Sequence, residues 1–222
     1  NNAEDLLKYP RNLEKDAVLL ESLGVHFVFA PTTEEMYSEE EMETTFSFDF
    51  NGLDKVMEGK MRPGHFNGVV QVVSRLFDLV QPTRAYFGEK DFQQLAIIRH
   101  MVECSTLAER YKGIKIIGCP IVREENGLAM SSRNERLSEE EKQIAVGISQ
   151  TLISSLEWAK SASVNEVKQR VIHTINAIDR LEVEYYEIVD KATLQPTNTF
   201  ENAVGCVTVY CGPVRLIDNI QY

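Results

Sequence analysis

The sequence predicts an α/β protein: a parallel sheet with helices on both faces, followed by a smaller α+β region. Three observations carry this. Over the first 121 residues, segments of helical period alternate with short apolar runs. Two of those runs, 25–30 and 114–119, are almost continuously apolar, as strands buried on both faces are. After Pro120 the order changes to two helices and then three short strands, which places a boundary near Ile121.

Each element follows from its pattern. Residues 11–22 set Leu13, Ala17, Val18 and Leu20 at helical spacing, and Gly24 stops the helix. The run Val25, His26, Phe27, Val28, Phe29, Ala30 reads as a buried parallel strand closed by Pro31. Residues 45–50 alternate Phe46, Phe48 and Phe50 with polar neighbours, the signature of a half-buried strand. A strong helix is predicted over 64–80, with Val69, Val72, Val73, Leu76, Phe77 and Val80 inward. Then come a short strand at 84–87, a helix at 92–104 and a strand at 114–119. Ser138, with Glu141 three residues on, is a capping box that opens a helix to about residue 159. A second helix at 163–178 turns Val164, Val167, Val171, Ile175 and Ile178 inward, and strands are expected at 182–189, 204–210 and 214–217. The expected domains are thus 1–121, carrying the ligand site, and 122–222.

Composition narrows the function. A chain of 222 residues, 43% hydrophobic and 26% charged, has the balance of a globular protein with one large or two small domains. A net charge of -11 argues against nucleic acid as a partner, since phosphate backbones need a basic face. It does not argue against ATP, which a few local cations can hold. No 18-residue apolar run and no signal-peptide pattern is present, so no membrane partner is expected. Cys104, Cys119, Cys206 and Cys211 form no CxxC pair, which points to reduced thiols in a cytoplasmic protein and away from zinc. The opening Asn1-Asn2-Ala3-Glu4-Asp5 reads like the middle of a loop.

Two stretches carry chemistry. In Tyr86-Phe87-Gly88-Glu89-Lys90-Asp91-Phe92-Gln93-Gln94-Leu95, a loop at a strand end precedes a helix N-terminus. In open parallel sheets ligands bind at that edge, and a helix N-terminus favours anions. Lys90 is therefore either an anion-binding residue or a surface lysine pairing with Glu89 or Asp91. Gln94, four residues on, could face the same ligand. In Gly127-Leu128-Ala129-Met130-Ser131-Ser132-Arg133-Asn134, the Ser-Ser-Arg triplet is either a loop that closes on a triphosphate or a plain helix cap. Together the two stretches suit a site that holds a triphosphate and stabilises charge as one phosphoryl group is attacked. His65 heads the long helix, with a packed or capping role the simpler alternative; His26, His100 and His173 read as structural.

With Arg62-Pro63-Gly64-His65-Phe66, Tyr9-Pro10-Arg11 and Arg215-Leu216-Ile217-Asp218-Asn219, these motifs stand in the order found in the pantoate–β-alanine ligase family, which the chain resembles over essentially its whole length. The resemblance implies a Rossmann-like nucleotidyltransferase domain, akin to class I aminoacyl-tRNA synthetases, and a smaller C-terminal domain that closes over the nucleotide. It implies a cytoplasmic homodimer that uses Mg2+ and the substrates ATP, pantoate and β-alanine. Pantoate and ATP would give pantoyl adenylate and pyrophosphate, and the amine of β-alanine would then release AMP. By position, Gly88, Glu89, Lys90 and Asp91 match the ATP loop, and Gln94 matches a pantoate-binding glutamine. Val122 matches a position touching adenine. Met130, Ser131, Ser132 and Arg133 match the loop that grips the outer phosphates, and Asp16 matches weakly an acidic residue near the metal.

The chain departs from the family in three places. The family's opening strand, its phosphate-binding histidine turn and a second pantoate-binding glutamine have no counterpart, and residue 1 corresponds to a position after them. On the sequence alone, an inactive fragment that keeps nucleotide affinity is therefore an alternative, as is another nucleotidyltransferase of the same fold. Residues 105–112 form a longer turn than usual. Residues 206–213 replace an Ala-rich strand, a change expected to touch packing only.

Overall fold

The computed structural model describes residues 12–39 and 46–222. The chain divides into two compact units, Asn1–Ser47 and Phe48–Tyr222. In the first, helix α1 (Leu13–Ser22) starts on Asn12, whose side chain accepts from the Lys15 N–H. It ends where the sequence indicates. Gly24 takes φ +79°, its N–H bonds the Glu21 carbonyl, and the Val25 N–H reaches back to the Leu20 carbonyl, a Schellman closure. A one-turn helix α2 (Thr33–Met36) follows, opened by a capping box between Thr32 and Glu35.

The strand expected at 25–30 is not formed among the described residues: no ladder pairs it, and Phe27 is 92% exposed. An apolar run becomes a strand only where a neighbouring backbone takes its N–H and C=O groups. The same holds at 46–50, where the expected alternation survives in the burial of Phe46, Phe48 and Phe50 but no ladder forms; residue 45 lies outside the described residues.

The larger unit begins with α3 (Met57–Met61) and α4 (His65–Val80). Gly64 stands between them at φ +79°, a left-handed conformation that lets the chain turn directly into α4. The buried face of α4 is Phe66, Val70, Ser74 and Phe77, while Val72 and Val80, expected inward, are exposed. The helix is amphipathic, and Val72 and Val80 fall off its buried Phe66–Val70–Ser74–Phe77 stripe. The Ser74 hydroxyl, which donates to Met101 Sδ at 3.3 Å, marks the phase adopted.

β1 (Arg84–Gly88) leads through a single 3-10 turn, Glu89–Asp91, into α5 (Phe92–Glu103), and β2 (Lys115–Cys119) follows. The two strands pair in parallel from Arg84↔Lys115 to Gly88↔Cys119, as the β–α–β order predicts. Leu95, Ile97, Ile98 and Met101 of α5 are fully buried. The long turn after α5 is pinned by Tyr111, whose ring packs edge-on against Phe77 and whose hydroxyl donates to the Ser74 carbonyl.

Residues from 139 onward build the α+β part. Helices α6 (Glu139–Trp158) and α7 (Val164–Asn176) both open on Ser/Glu capping boxes. They cover an antiparallel sheet of β3 (Leu181–Asp190), β4 (Ala203–Cys211) and β5 (Val214–Gln221), in the order β3-β4-β5. Val167, Val171 and Ile175 of α7 and Val209 of β4 lose all exposure here. Each such side chain contributes about 1.5–3 kcal/mol of transfer free energy. The sheet's other face helps to line the ligand cleft.

Candidate active site

β1 stops at Gly88, and the next three residues carry the chain into the N-terminus of α5. Lys90 and Asp91 are thereby held at the carboxyl edge of a parallel strand and beside the unpaired N–H groups of a twelve-residue helix. They face a cleft of about 540 Å3, solvent mouth included. Gln94 of α5, Arg133, and Arg62 and His65 at the head of α4 share it. Tyr185, Cys206, Arg215 and Asp218 close it from the antiparallel sheet.

The charges lining the cleft fall into two groups. Arg215 is saturated: its guanidinium makes two bonds to Glu58, at 2.6 and 2.9 Å, and further bonds to Glu184. Glu58 also accepts from the Tyr185 hydroxyl at 2.8 Å and the Thr208 hydroxyl at 3.1 Å. Burial works to raise the Glu58 pKa, but Arg215 and the two hydroxyls outweigh it and bring it down to about 2. Arg215 is held above its ordinary value, its hydrogen bonds to Glu58 and Glu184 overcoming burial. Burial, with Glu58 nearby, raises the Tyr185 phenol far above its usual range.

Lys90 belongs to the other group. Among the described residues its ammonium makes no direct ion pair; Asp91 and Asp218 support it only through space. Burial lowers its pKa against that support. A half-buried cation beside a helix N-terminus is a ready partner for an anion. His65 is kept neutral: burial and the Arg62 cation lower its pKa to about 4. Its Nε2 lies 3.1 Å from Arg62 Nη1, and because arginine can only donate, that nitrogen is the acceptor.

The phosphate-loop candidate is built on a turn. Gly127, at φ +95°, lets its N–H bond the Glu124 carbonyl, and Leu128 is tied back to Glu124. Asn134, 5% exposed, anchors the far end by donating to Glu124 Oε1 and the Ala129 carbonyl. Ser131 caps a 3-10 helix, Ser132–Arg136, by accepting from the Arg133 N–H. The triplet is thus a helix cap, and it also sets Arg133 in the cleft and Ser131 in a hollow shared with Lys90 and Asp218.

The structure therefore brings together Lys90, Asp91, Gln94 and Arg133, with Ser131 adjoining. Gly88 and Glu89 supply the backbone of the loop, and Ser132 opens the 3-10 helix. Val122 and Met130 are joined by a backbone bond of 2.9 Å; they are 66% and 53% exposed and lie outside the cleft lining. Asp16 is an exposed residue of α1 in the other unit. Of the glutamine pair, Gln93 is structural: 4% exposed, its amide donates to the Leu53 and Val56 carbonyls.

Glu58, Glu184 and Tyr185 carried no sequence signal, whereas Arg215, Asp218 and Asn219 lay in a motif to which no role had been attached. The Cys206 segment touches more than packing, because Cys206 and Val207 line the cleft. Burial pushes the Cys206 thiol up to about 12, so it is an uncharged wall. No three His, Cys, Asp or Glu side chains converge on a metal-sized site among the described residues.

Comparison with known proteins gives the family. A family profile described as pantoate-beta-alanine ligase matches residues 1–221. The pantothenate synthetases of Phocaeicola vulgatus and Bacteroides thetaiotaomicron are each 56% identical over 225 residues, spanning 100% of this chain and 77% of theirs. The crystal structure of pantothenate synthetase from Thermus thermophilus superposes with a TM-score of 0.90 at 41% identity, covering 100% of this chain and 78% of that one. Pantoate-beta-alanine ligase from Francisella tularensis, solved with a β,γ-ATP compound and β-alanine, gives 0.74 at 29% identity, over 99% and 74%. With the profile spanning nearly every residue and relatives this similar, the chain belongs to the pantoate-beta-alanine ligase family.

Proposed function

We propose that the cleft around Lys90 condenses pantoate with β-alanine at the expense of ATP, forming pantothenate, AMP and pyrophosphate. The observation that supports this most is the convergence of Lys90, Gln94 and Arg133 on one cleft at a helix N-terminus. A pantoate carboxylate oxygen attacks the α-phosphorus, the bond to the bridging oxygen breaks, and pyrophosphate leaves. The β-alanine nitrogen then attacks the acyl carbon of the adenylate, loses a proton and expels AMP.

In this scheme Lys90 sits between the α-phosphate and the pantoate carboxylate and offsets their repulsion, and Gln94 hydrogen-bonds pantoate. Arg133, with Ser131 and Ser132, holds the outer phosphates, while Gly88, Glu89 and Asp91 shape the ribose side. Val122 would border the adenine, and Met130 belongs with the loop on the outer phosphates. Positioning and charge stabilisation are what transfer at phosphorus requires from a protein. Mg2+ would enter with ATP as the MgATP substrate and help to offset the charge of the phosphates.

Residues 122–222 are proposed as the domain that closes over nucleotide bound by 1–121, and a homodimer in the cytoplasm as the working form. Four unpaired cysteines are consistent with the compartment. The test is exchange of labelled pyrophosphate into ATP by the native gene product. Exchange should require pantoate but not β-alanine. Release of ADP, or exchange indifferent to pantoate, would overturn the proposal.

A further inference from the structure

The last strand of the chain reaches back to the Lys90 loop. Asn219 of β5 is 3% exposed, and its single side-chain nitrogen donates both of its hydrogens to that loop: one to the Glu89 carbonyl at 2.8 Å, the other to the Lys90 carbonyl at 3.1 Å. The neighbouring Asp218, also buried, stiffens this contact. It accepts from the Asn219 backbone N–H at 2.8 Å and is gripped by Arg123 through two bonds of 2.7 and 2.9 Å. Arg123 in turn donates to the Gly127 carbonyl, at the root of the loop that carries Ser131 and Arg133. Two catalytic loops far apart in sequence are thereby fastened to one strand.

We infer that Asn219 is a positioning residue for Lys90, fixing the backbone from which the ammonium is aimed into the cleft. This rests on the assignment of Lys90 as a catalytic residue. The Glu89–Asp91 turn is only three residues long and exposed on one side, so rotation of one peptide would swing the Lys90 side chain away from the phosphate. A two-hydrogen clamp on consecutive carbonyls opposes that rotation. An alanine provides no donor. An aspartate, nearly the same shape, would set a charged acceptor against two carbonyl oxygens.

The experiment is a double-mutant cycle in the native gene product, measuring pantoate-dependent pyrophosphate exchange. Asn219→Ala should lower kcat roughly ten- to hundredfold, the cost expected from misplacing a reacting group by about an ångström, with the KM for ATP little changed. In a Lys90→Ala background the same substitution should cost less than about twofold, because the residue it positions is gone. Where the alanine variant does not fold, Asn219→Leu, of similar shape and without a donor or a charge, gives the same comparison. A loss of equal size with and without Lys90, or a rise in KM at unchanged kcat, would overturn the inference. Near-normal turnover of Lys90→Ala by itself would instead sink the assignment on which the inference rests.

Discussion

Two hollows flank α5, and they share Phe92. One is the cleft at Lys90. The other, larger, is bounded by Asn51 and Leu53, by Arg99, His100 and Glu103 of α5, and by Lys191 and Thr193 beyond β3. Volume alone favours the second, whose cations are Arg99, His100 and Lys191, fewer than line the cleft at Lys90. Its cations are differently placed, however. Arg99 is exposed, His100 bonds the Asp49 carbonyl, and Lys191 Nζ lies 3.4 Å from the Tyr222 carbonyl. Lys90, by contrast, is half-buried at a helix N-terminus and without a direct carboxylate partner among the described residues. An anion gains most where the cation has already lost water and is fixed by its backbone. Enclosure and orientation, more than size, mark the functional hollow.

The largest expected effect tests that contrast. Lys90→Ala should cut adenylate formation by roughly a hundredfold or more, since one preorganised donor contributes about 3–4 kcal/mol. Arg99→Ala, across the helix, should stay within about twofold. Equal losses in pyrophosphate exchange would erase the distinction between the hollows.

The saturated wall is tested by stability, not by rate. Glu58→Ala leaves Arg215 with only Glu184 and should destabilise the fold by about 3–5 kcal/mol, as removal of one partner from a buried pair does. Denaturant unfolding measures it. A loss below about 1 kcal/mol would show that the wall does not depend on this pair.

Gln94→Ala sharpens the division of labour within the cleft. It should raise the pantoate requirement by a factor corresponding to about 1.5–3 kcal/mol, with a much smaller effect on ATP. Equal weakening of both substrates in steady-state kinetics would contradict a pantoate-specific role.

The smallest effect is in acid. His65 and Glu58 both have folded pKa values below their ordinary ones, about 4 against 6.5 and about 2 against 4.5. In each case the unfolded chain binds its proton first, so stability is full above the ordinary value and falls with pH. His65 accounts for loss between about pH 6.5 and 4, Glu58 for loss between about 4.5 and 2. His65→Phe should flatten the first segment of a stability–pH curve and leave the second. An unchanged first segment would show that His65 is not held neutral.

The same contrast shows what the sequence could disclose. The order α4, β1, α5, β2 and the placement of Lys90 at a strand end were legible because local periodicity and one short loop specify them. The Ser138–Glu141 capping box and the Gly24 stop were equally local. The Arg215–Glu58 pair was not, because it spans 157 positions and nothing in the sequence marks Glu58 as the partner of Arg215. Asn219 sat in a recognisable motif, yet its role emerges only when β5 lies against the Glu89–Asp91 turn. The phase of α4 was misjudged because its buried stripe runs through polar Ser74 and leaves Val72 and Val80 outside. The run at 25–30 carried the composition of a strand, but composition does not supply the partner a ladder needs.

Amide hydrogen exchange with saturating MgATP and pantoate, read by mass spectrometry on the native gene product, tests the assignment of the cleft most directly. Protection should rise at 88–94 and across 124–135, with little change at Arg99, His100 and residues 191–195. Protection concentrated at 191–195 and the Arg99 side of α5, with 124–135 unaffected, would place the nucleotide in the other hollow and contradict the account.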